Sequence, residues 1–115
     1  MQITPASSSG QEWVRLEDHT VIARRTLRLV RALLREALEN PTFLGPDRSS
    51  WPLVDIPELD AVGGVVRLND PKGEPIVVAR VGRSSYAAFR LGADAREVER
   101  VPVEYNEETR RLRMA

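Results

Sequence analysis

From Glu17 to Asn40 apolar residues recur with the three- and four-residue spacing of a helix. Ala23, Leu27, Val30, Leu34, Ala37 and Leu38 form one row, and Ile22, Leu29 and Leu33 form a second beside it. Together they make a broad apolar stripe, which needs a partner surface to cover it. Arg24, Arg28, Arg31 and Arg35 occupy the opposite side. Asp18 or Thr20 can cap the start, and Asn40 followed by Pro41 supplies the stop. The pattern predicts an amphipathic helix over 17–40.

The residues before it carry no period. Ser7, Ser8, Ser9 and Gly10 cannot offset their ordering entropy by burial, so 1–16 is expected to be a flexible arm. After the helix, 41–50 ("PTFLGPDRSS") reads as a linker of Pro, Gly and Ser.

From Trp51 the period changes to that of strands. "WPLVDI", "GGVVRL", "EPIVVARV" and "SYAAFR" are short Val-, Ile- and Tyr-bearing runs separated by turn chemistry. "NDPKGEP" (69–75) is a loop and "GRSS" (82–85) a tight turn. The polar stretch "LGADAREVER" interrupts the pattern, and "VPVEYNEETRRLRM" closes it as a hairpin turning at Asn106 to Thr109. The fold class predicted is α+β: an N-terminal amphipathic helix followed by a small antiparallel β domain over 51–115.

Composition narrows the chemistry. The 115 residues are 42% hydrophobic and 30% charged, enough for one domain with a modest core. Seventeen basic residues balance seventeen acidic ones, so no global field draws in nucleic acid or anionic lipid. Lys72 is the single lysine; the other basic residues are Arg. With no cysteine, the chain offers no disulfide, thiolate metal ligand or cysteine nucleophile. No stretch approaches the roughly 20 apolar residues of a membrane span, and "MQITPASSSGQEW" lacks the basic start and apolar run of a signal peptide. A cytoplasmic protein is expected.

His19, the one histidine, stands alone at the expected helix start, where a solvated or capping role is the ordinary one. It is also the only candidate base for a Ser–His–Asp arrangement. "VGGVV" lacks the glycine spacing and following helix of a phosphate cradle. Asp94, Glu97, Glu99, Glu104, Glu107 and Glu108 alternate with Arg96, Arg100, Arg110 and Arg111, as in exposed ion pairs rather than a cation loop. No enzyme and no cofactor are expected.

Residues 51–115 resemble the first part of a Rieske iron–sulfur domain. "WPLVDIPEL" resembles its opening strand, "VGGVVRLND" the step into its small sheet, "GEPIVVARVGRSSYAAFR" the hairpin into the first ligand loop, and "VPVEYNEETRRLRM" the hairpin toward the second. The resemblance implies an incomplete Rieske-like sandwich. It also implies a two-iron cluster held by a Cys-x-His and a Cys-x-x-His motif, and here the ligands are missing. The first motif falls on Ala93, Asp94 and Ala95, so both ligand positions are methyl groups; the second begins near Met114. Alanine has no lone pair to offer iron, and a lone thioether is a weak ligand. The connection between the two hairpins is also longer than the family's usual one.

The functional expectation is therefore a non-catalytic, cluster-free Rieske-like interaction or assembly module, a candidate partner of a redox complex. Leu27, Val30, Leu33, Leu34 and Leu38 are its expected interaction residues. They would dock on the chain's own sheet or on a second copy, and the breadth of the stripe favours a homodimer. The alternative is a surface-binding protein that lays Arg24, Arg28, Arg31 and Arg35 on anionic lipid or nucleic acid. The neutral chain and the lack of an aromatic anchor on the helix argue against it. A pocket between helix and sheet, lined by Trp51, Tyr86, Phe89 or Tyr105, is the third expectation; core packing is the usual role of such aromatics.

Overall fold

The computed structural model describes residues 13–16, 20–40, 45–94 and 96–115. Among them the chain is an α+β protein with one helix and three antiparallel sheets. Strands β1 (Trp13–Arg15) and β2 (Val21–Ala23) form a hairpin that leads directly into helix α1 (Arg24–Glu39). β3 (Ser50–Pro52) is followed by two single turns of 3-10 helix, Leu53–Asp55 and Pro57–Leu59. Then come β4 (Val65–Asn69), β5 (Pro75–Arg80), β6 (Tyr86–Leu91), β7 (Val98–Val101), β8 (Val103–Asn106) and β9 (Arg111–Met114). The central sheet runs β4-β5-β6-β7, and a second sheet runs β3-β9-β8.

The alternation of side chains along β5 and β6 stacks the layers. Ile76, Val78 and Ala88 face the second sheet and meet Trp51 and Leu112. Val77, Ala79, Ala87 and Phe89 face the other way and meet Ile22, Leu27, Val30 and Leu34. Ala79 and Ala87 are cross-strand partners, so the helix lies over a floor of methyl groups and can approach closely. Burying one Leu or Val side chain contributes roughly 1.5–3 kcal/mol, and β5 is buried on both faces.

Four boundaries differ from the sequence expectation. The helix starts at Arg24, with Ala23 at the N-cap and no capping side chain. Thr20 instead closes the β1–β2 hairpin, its carbonyl accepting from Leu16 N at 2.8 Å; Asp18 lies outside the described residues. The β-branched pair Val21-Ile22 pairs with Arg15 and Val14, and strand pairing overrides the helical spacing there. The expected arm therefore yields a strand at Trp13–Arg15, while 1–12 lie outside the described residues.

"WPLVDI" is a strand only at its start. Pro52 and Pro57 lack the N–H that a ladder needs, and the chain between them coils into 3-10 turns that bury Leu53, Ile56 and Leu59. Nor is "PTFLGPDRSS" a free linker throughout: Asn69 Nδ2 donates to Gly45 O and to Asp47 Oδ1, both at 3.2 Å, and Ser50 already belongs to β3. Residues 41–44 lie outside the described set.

The polar stretch "LGADAREVER" contains β7. Gly92 N donates to Glu97 O at 2.8 Å to turn the chain, and Arg90 pairs across the strands with Glu99 at 3.3 Å. Its charges made it read as a loop, but it is an edge strand, where charge is the norm: Glu99 is exposed on one face, and Arg100 is half-buried on the other with its guanidinium 5.5 Å from the Phe89 ring centroid.

Candidate functional site

The two stretches on which the resemblance puts its ligand motifs lie toward opposite ends of β7. Ala93 is exposed in the turn beyond the Leu91–Val98 pair. Met114 is half-buried and pairs with Val103, past the Val101 end of the same strand. Ala95 lies outside the described residues. Among the described residues no three or more His, Cys, Asp or Glu gather as a metal-holding group.

The expected interaction stripe is largely spent inside the chain. Leu27, Val30 and Leu34 are buried against the central sheet, Leu33 is half-buried, and Leu38 is 58% exposed. The second row does not exist as read, because Ile22 belongs to β2 and Leu29 is half-exposed. The stripe is thus one row wide, and the breadth that favoured a dimer is absent.

The four aromatics expected around one pocket divide between two cores. Trp51 is buried between the sheets and Phe89 under the helix. Tyr86 and Tyr105 do meet, with ring centroids 4.9 Å apart and planes at 53°, a tilted stacking arrangement.

This tyrosine pair borders a basin lined by Arg80, Arg83 and Arg110, which sequence reasoning did not single out. Arg80 sits at the end of β5, 5.9 Å from the Tyr86 ring centroid. Its Nη1 donates to Asp60 O at 2.7 Å and Leu59 O at 3.3 Å. Its Nε donates to Gly82 O at 3.2 Å, and its Nη2 to Arg83 O. Four of the five N–H groups of a guanidinium are thereby held by main-chain carbonyls. The "VGRSS" turn creates half of that cage by bending two carbonyls back over the side chain that precedes them. The other half comes from Leu59 and Asp60 at the end of the second 3-10 turn, and the main chain of Arg80 pairs with the glycines that follow it: Gly63 N donates to Arg80 O and Arg80 N donates to Gly64 O. Gly64 cannot be anything larger, since a β-carbon there would lie 1.9 Å from Glu58 O.

Arg110 closes the far side. It ends the β8–β9 turn with φ of 55°, in the left-handed region that costs an L-residue roughly 1–2 kcal/mol. Asn106 Oδ1 holds the turn by accepting from Glu108 N and Thr109 N. The Arg110 carbonyl accepts from Leu53 N at 3.0 Å and ties the turn to the start of the first 3-10 turn. Arg80, Arg83 and Arg110 take part in no ion pair among the described residues, although Glu107 and Asp60 also line the basin. Val54, 87% exposed, stands at its rim. Burial pushes the Tyr86 phenol above its ordinary value of 10.0, with Arg80 pulling in the opposite direction.

On α1, Arg24, Arg25, Arg28, Arg31 and Arg35 are all exposed, as the pattern predicted. Among the described residues no helix is long and apolar enough to cross a membrane. No known protein family, curated protein or solved structure matches the chain.

Proposed function

We propose that this chain is a non-catalytic interaction module that grips an acidic, partly apolar segment of a partner protein in the Arg80–Arg83–Arg110 basin. The observation that carries this reading is a cluster of three guanidiniums, that of Arg80 held by main-chain carbonyls, without carboxylate partners among the described residues and beside two stacked tyrosines. Tyr and Arg are the residues that most often dominate binding energy at protein interfaces. Val54 adds an apolar contact at the rim. The framework is read as Rieske-like and cluster-free, with Ala93 standing where the resemblance puts a ligand. An assembly partner of a redox complex follows from that resemblance, a cytoplasmic setting from the sequence pattern, and a second copy of the chain is the alternative partner.

The test is titration of the full chain, observed by amide and side-chain NMR, with a decapeptide alternating Glu and Val and with its Gln–Val counterpart. Saturable shifts at Tyr86, Tyr105 and Arg110 with the acidic peptide alone support the reading. Equal response to both peptides, or none, refutes it. Light scattering reads whether the chain pairs with itself, and an iron and acid-labile sulfide assay on anaerobically purified protein tests the framework. Stoichiometric iron would overturn the cluster-free reading.

A second reading rests on Arg25, Arg28, Arg31 and Arg35, exposed along α1 and in no ion pair among the described residues. Such a row attracts anionic lipid or a nucleic-acid backbone. Sedimentation with anionic vesicles and gel shift with duplex DNA, each at low and physiological salt, decide it; no binding at low salt removes it.

A further inference from the structure

The two larger sheets have four edges, and three of them are blunted in ways that keep a sheet edge from pairing. β4 is covered at its Asn69 end, where Arg48 N donates to Asn69 O at 3.2 Å. β3 is three residues long and ends in Pro52. β7 carries Glu99 and Arg100. The fourth edge, β8, carries the aromatic Tyr105, and its one charge, Glu104, is already met by Arg113 of its own sheet at 2.9 Å.

The hydrogen-bond parity of that sheet fixes what β8 offers. Met114 N donates to Ser49 O at 2.8 Å and Leu53 N to Arg110 O at 3.0 Å, so Arg110, Leu112 and Met114 turn their main-chain groups toward β3. Ala115 N donates to Pro102 O at 3.0 Å, so Arg111, Arg113 and Ala115 turn theirs toward β8. Glu104 and Asn106, opposite Arg113 and Arg111, therefore use their N–H and C=O inside the sheet. Tyr105, opposite Leu112, points its N–H and C=O the other way, to the free edge. No strand flanks it there, because the β6–β7 ladder ends at the Ala88–Val101 pair. Among the described residues those two groups have no partner.

The space beside them is open. A cleft of about 540 Å³ is lined by Val103 and Tyr105 on β8 and by Ser84 and Ser85 in the β5–β6 turn, a volume in the range of ligand sites. The arginine basin begins at the same place, since Tyr105 and Ser84 line both. Side-chain alternation completes the arrangement: Tyr105 faces the basin, whereas Glu104 faces away with Arg113.

We propose that the acidic segment held by the basin binds as an extended strand, antiparallel to β8, with acidic residues at alternate positions. This rests on the reading of the basin as an acidic-segment site and adds the segment's conformation and pattern. The residue placed opposite Tyr105 exchanges both main-chain bonds with it and shares its face. That face holds Arg80, Arg83 and Arg110, none paired with a carboxylate among the described residues, so this residue and those two places away are acidic. The residues between them fall on the face of Glu104 and Asn106, where a further carboxylate meets like charge, and are apolar or neutral. Main-chain bonds supply the affinity and the alternate side chains the selectivity. In such a strand only the acidic residues turn their N–H groups toward β8; those of the intervening residues point away.

The full chain is titrated with the decapeptide alternating Glu and Val, with the same peptide N-methylated at every Glu, and with one N-methylated at every Val. The amide shift and hydrogen exchange of Tyr105 are followed by NMR. The Glu-methylated peptide is expected to bind at least about tenfold more weakly than the parent and the Val-methylated one within about twofold of it. Exchange of the Tyr105 amide is expected to slow in the complex. Equal binding of the two methylated peptides, or weaker binding of the Val-methylated one, as a parallel strand would give, overturns the strand and leaves the acidic-segment reading in place. A parent peptide that binds no better than its Gln–Val counterpart removes both. Self-association, read by light scattering, that protects the Tyr105 amide without peptide would seat a second copy on this edge and also overturn the proposal.

Discussion

The two sets of arginines solve opposite problems. Arg25, Arg28, Arg31 and Arg35 stand exposed on a regular helix face, where long side chains exchange among rotamers. Arg80 is half-buried, its guanidinium caught by four main-chain carbonyls from two separate turns. A solvated row gives attraction without geometry, screened by salt and tolerant of any anionic surface. A caged guanidinium gives geometry at the expense of conformational freedom, so whatever it recognises must fit. The residue type is the same; the backbone around it decides which behaviour results.

The largest expected effect tests the cage. Arg80→Leu leaves four carbonyls short of donors and is expected to destabilise the chain by about 1–3 kcal/mol, whereas Arg28→Ala should stay within about 0.5 kcal/mol. Urea denaturation at neutral pH measures both, and equal values would erase the distinction. Next is Arg110→Gly, which relieves the left-handed strain and is expected to stabilise by about 1 kcal/mol while weakening the acidic peptide. A variant that gains stability without losing peptide binding would show that Arg110 holds a turn and nothing more.

The salt dependence separates the groups without touching the basin. Replacing Arg28, Arg31 and Arg35 by Gln should abolish any low-salt adhesion to anionic vesicles and leave the peptide titration unchanged. In the wild type that adhesion should fade as the Debye length shrinks to about 8 Å at physiological ionic strength.

The smallest effect is alkaline. Tyr86 holds its proton in the folded chain at pH values where the unfolded phenol, near 10.0, has begun to lose it. The unfolded state then binds fewer protons, so stability is full below that value and falls as pH climbs past it. Denaturation midpoints on either side of it should show the decline, and Tyr86→Phe should flatten it.

Much of the framework was legible because burial imposes a period. Leu27, Val30 and Leu34 announced a helix, and "PIVVAR" and "YAAFR" announced strands with the loops between them in place. The misses share one cause, short elements whose local pattern is ambiguous. Val21-Ile22-Ala23 continues a helical spacing and is a strand only because Trp13–Arg15 lies alongside. "VERV" alternates too briefly and carries too much charge to declare itself an edge strand. The candidate sites were less legible still. Arg80, Tyr105 and Arg110 are brought together by folding, and nothing local distinguishes them. A partial signal existed in "ARVGRSS", where an Arg precedes a tight glycine turn able to cover it with its own carbonyls.

The burial of β5 on both sides has a consequence for biosynthesis. The helix that covers one side leaves the ribosome before this strand does, while Leu112, which helps to cover the other, emerges only after β6, β7 and β8. A growing chain therefore presents Ile76 and Val78 incompletely covered until β9 has emerged. Pro75 and Arg80 at the two ends of the segment are the type of gatekeeper that keeps such a strand from recruiting its neighbours meanwhile.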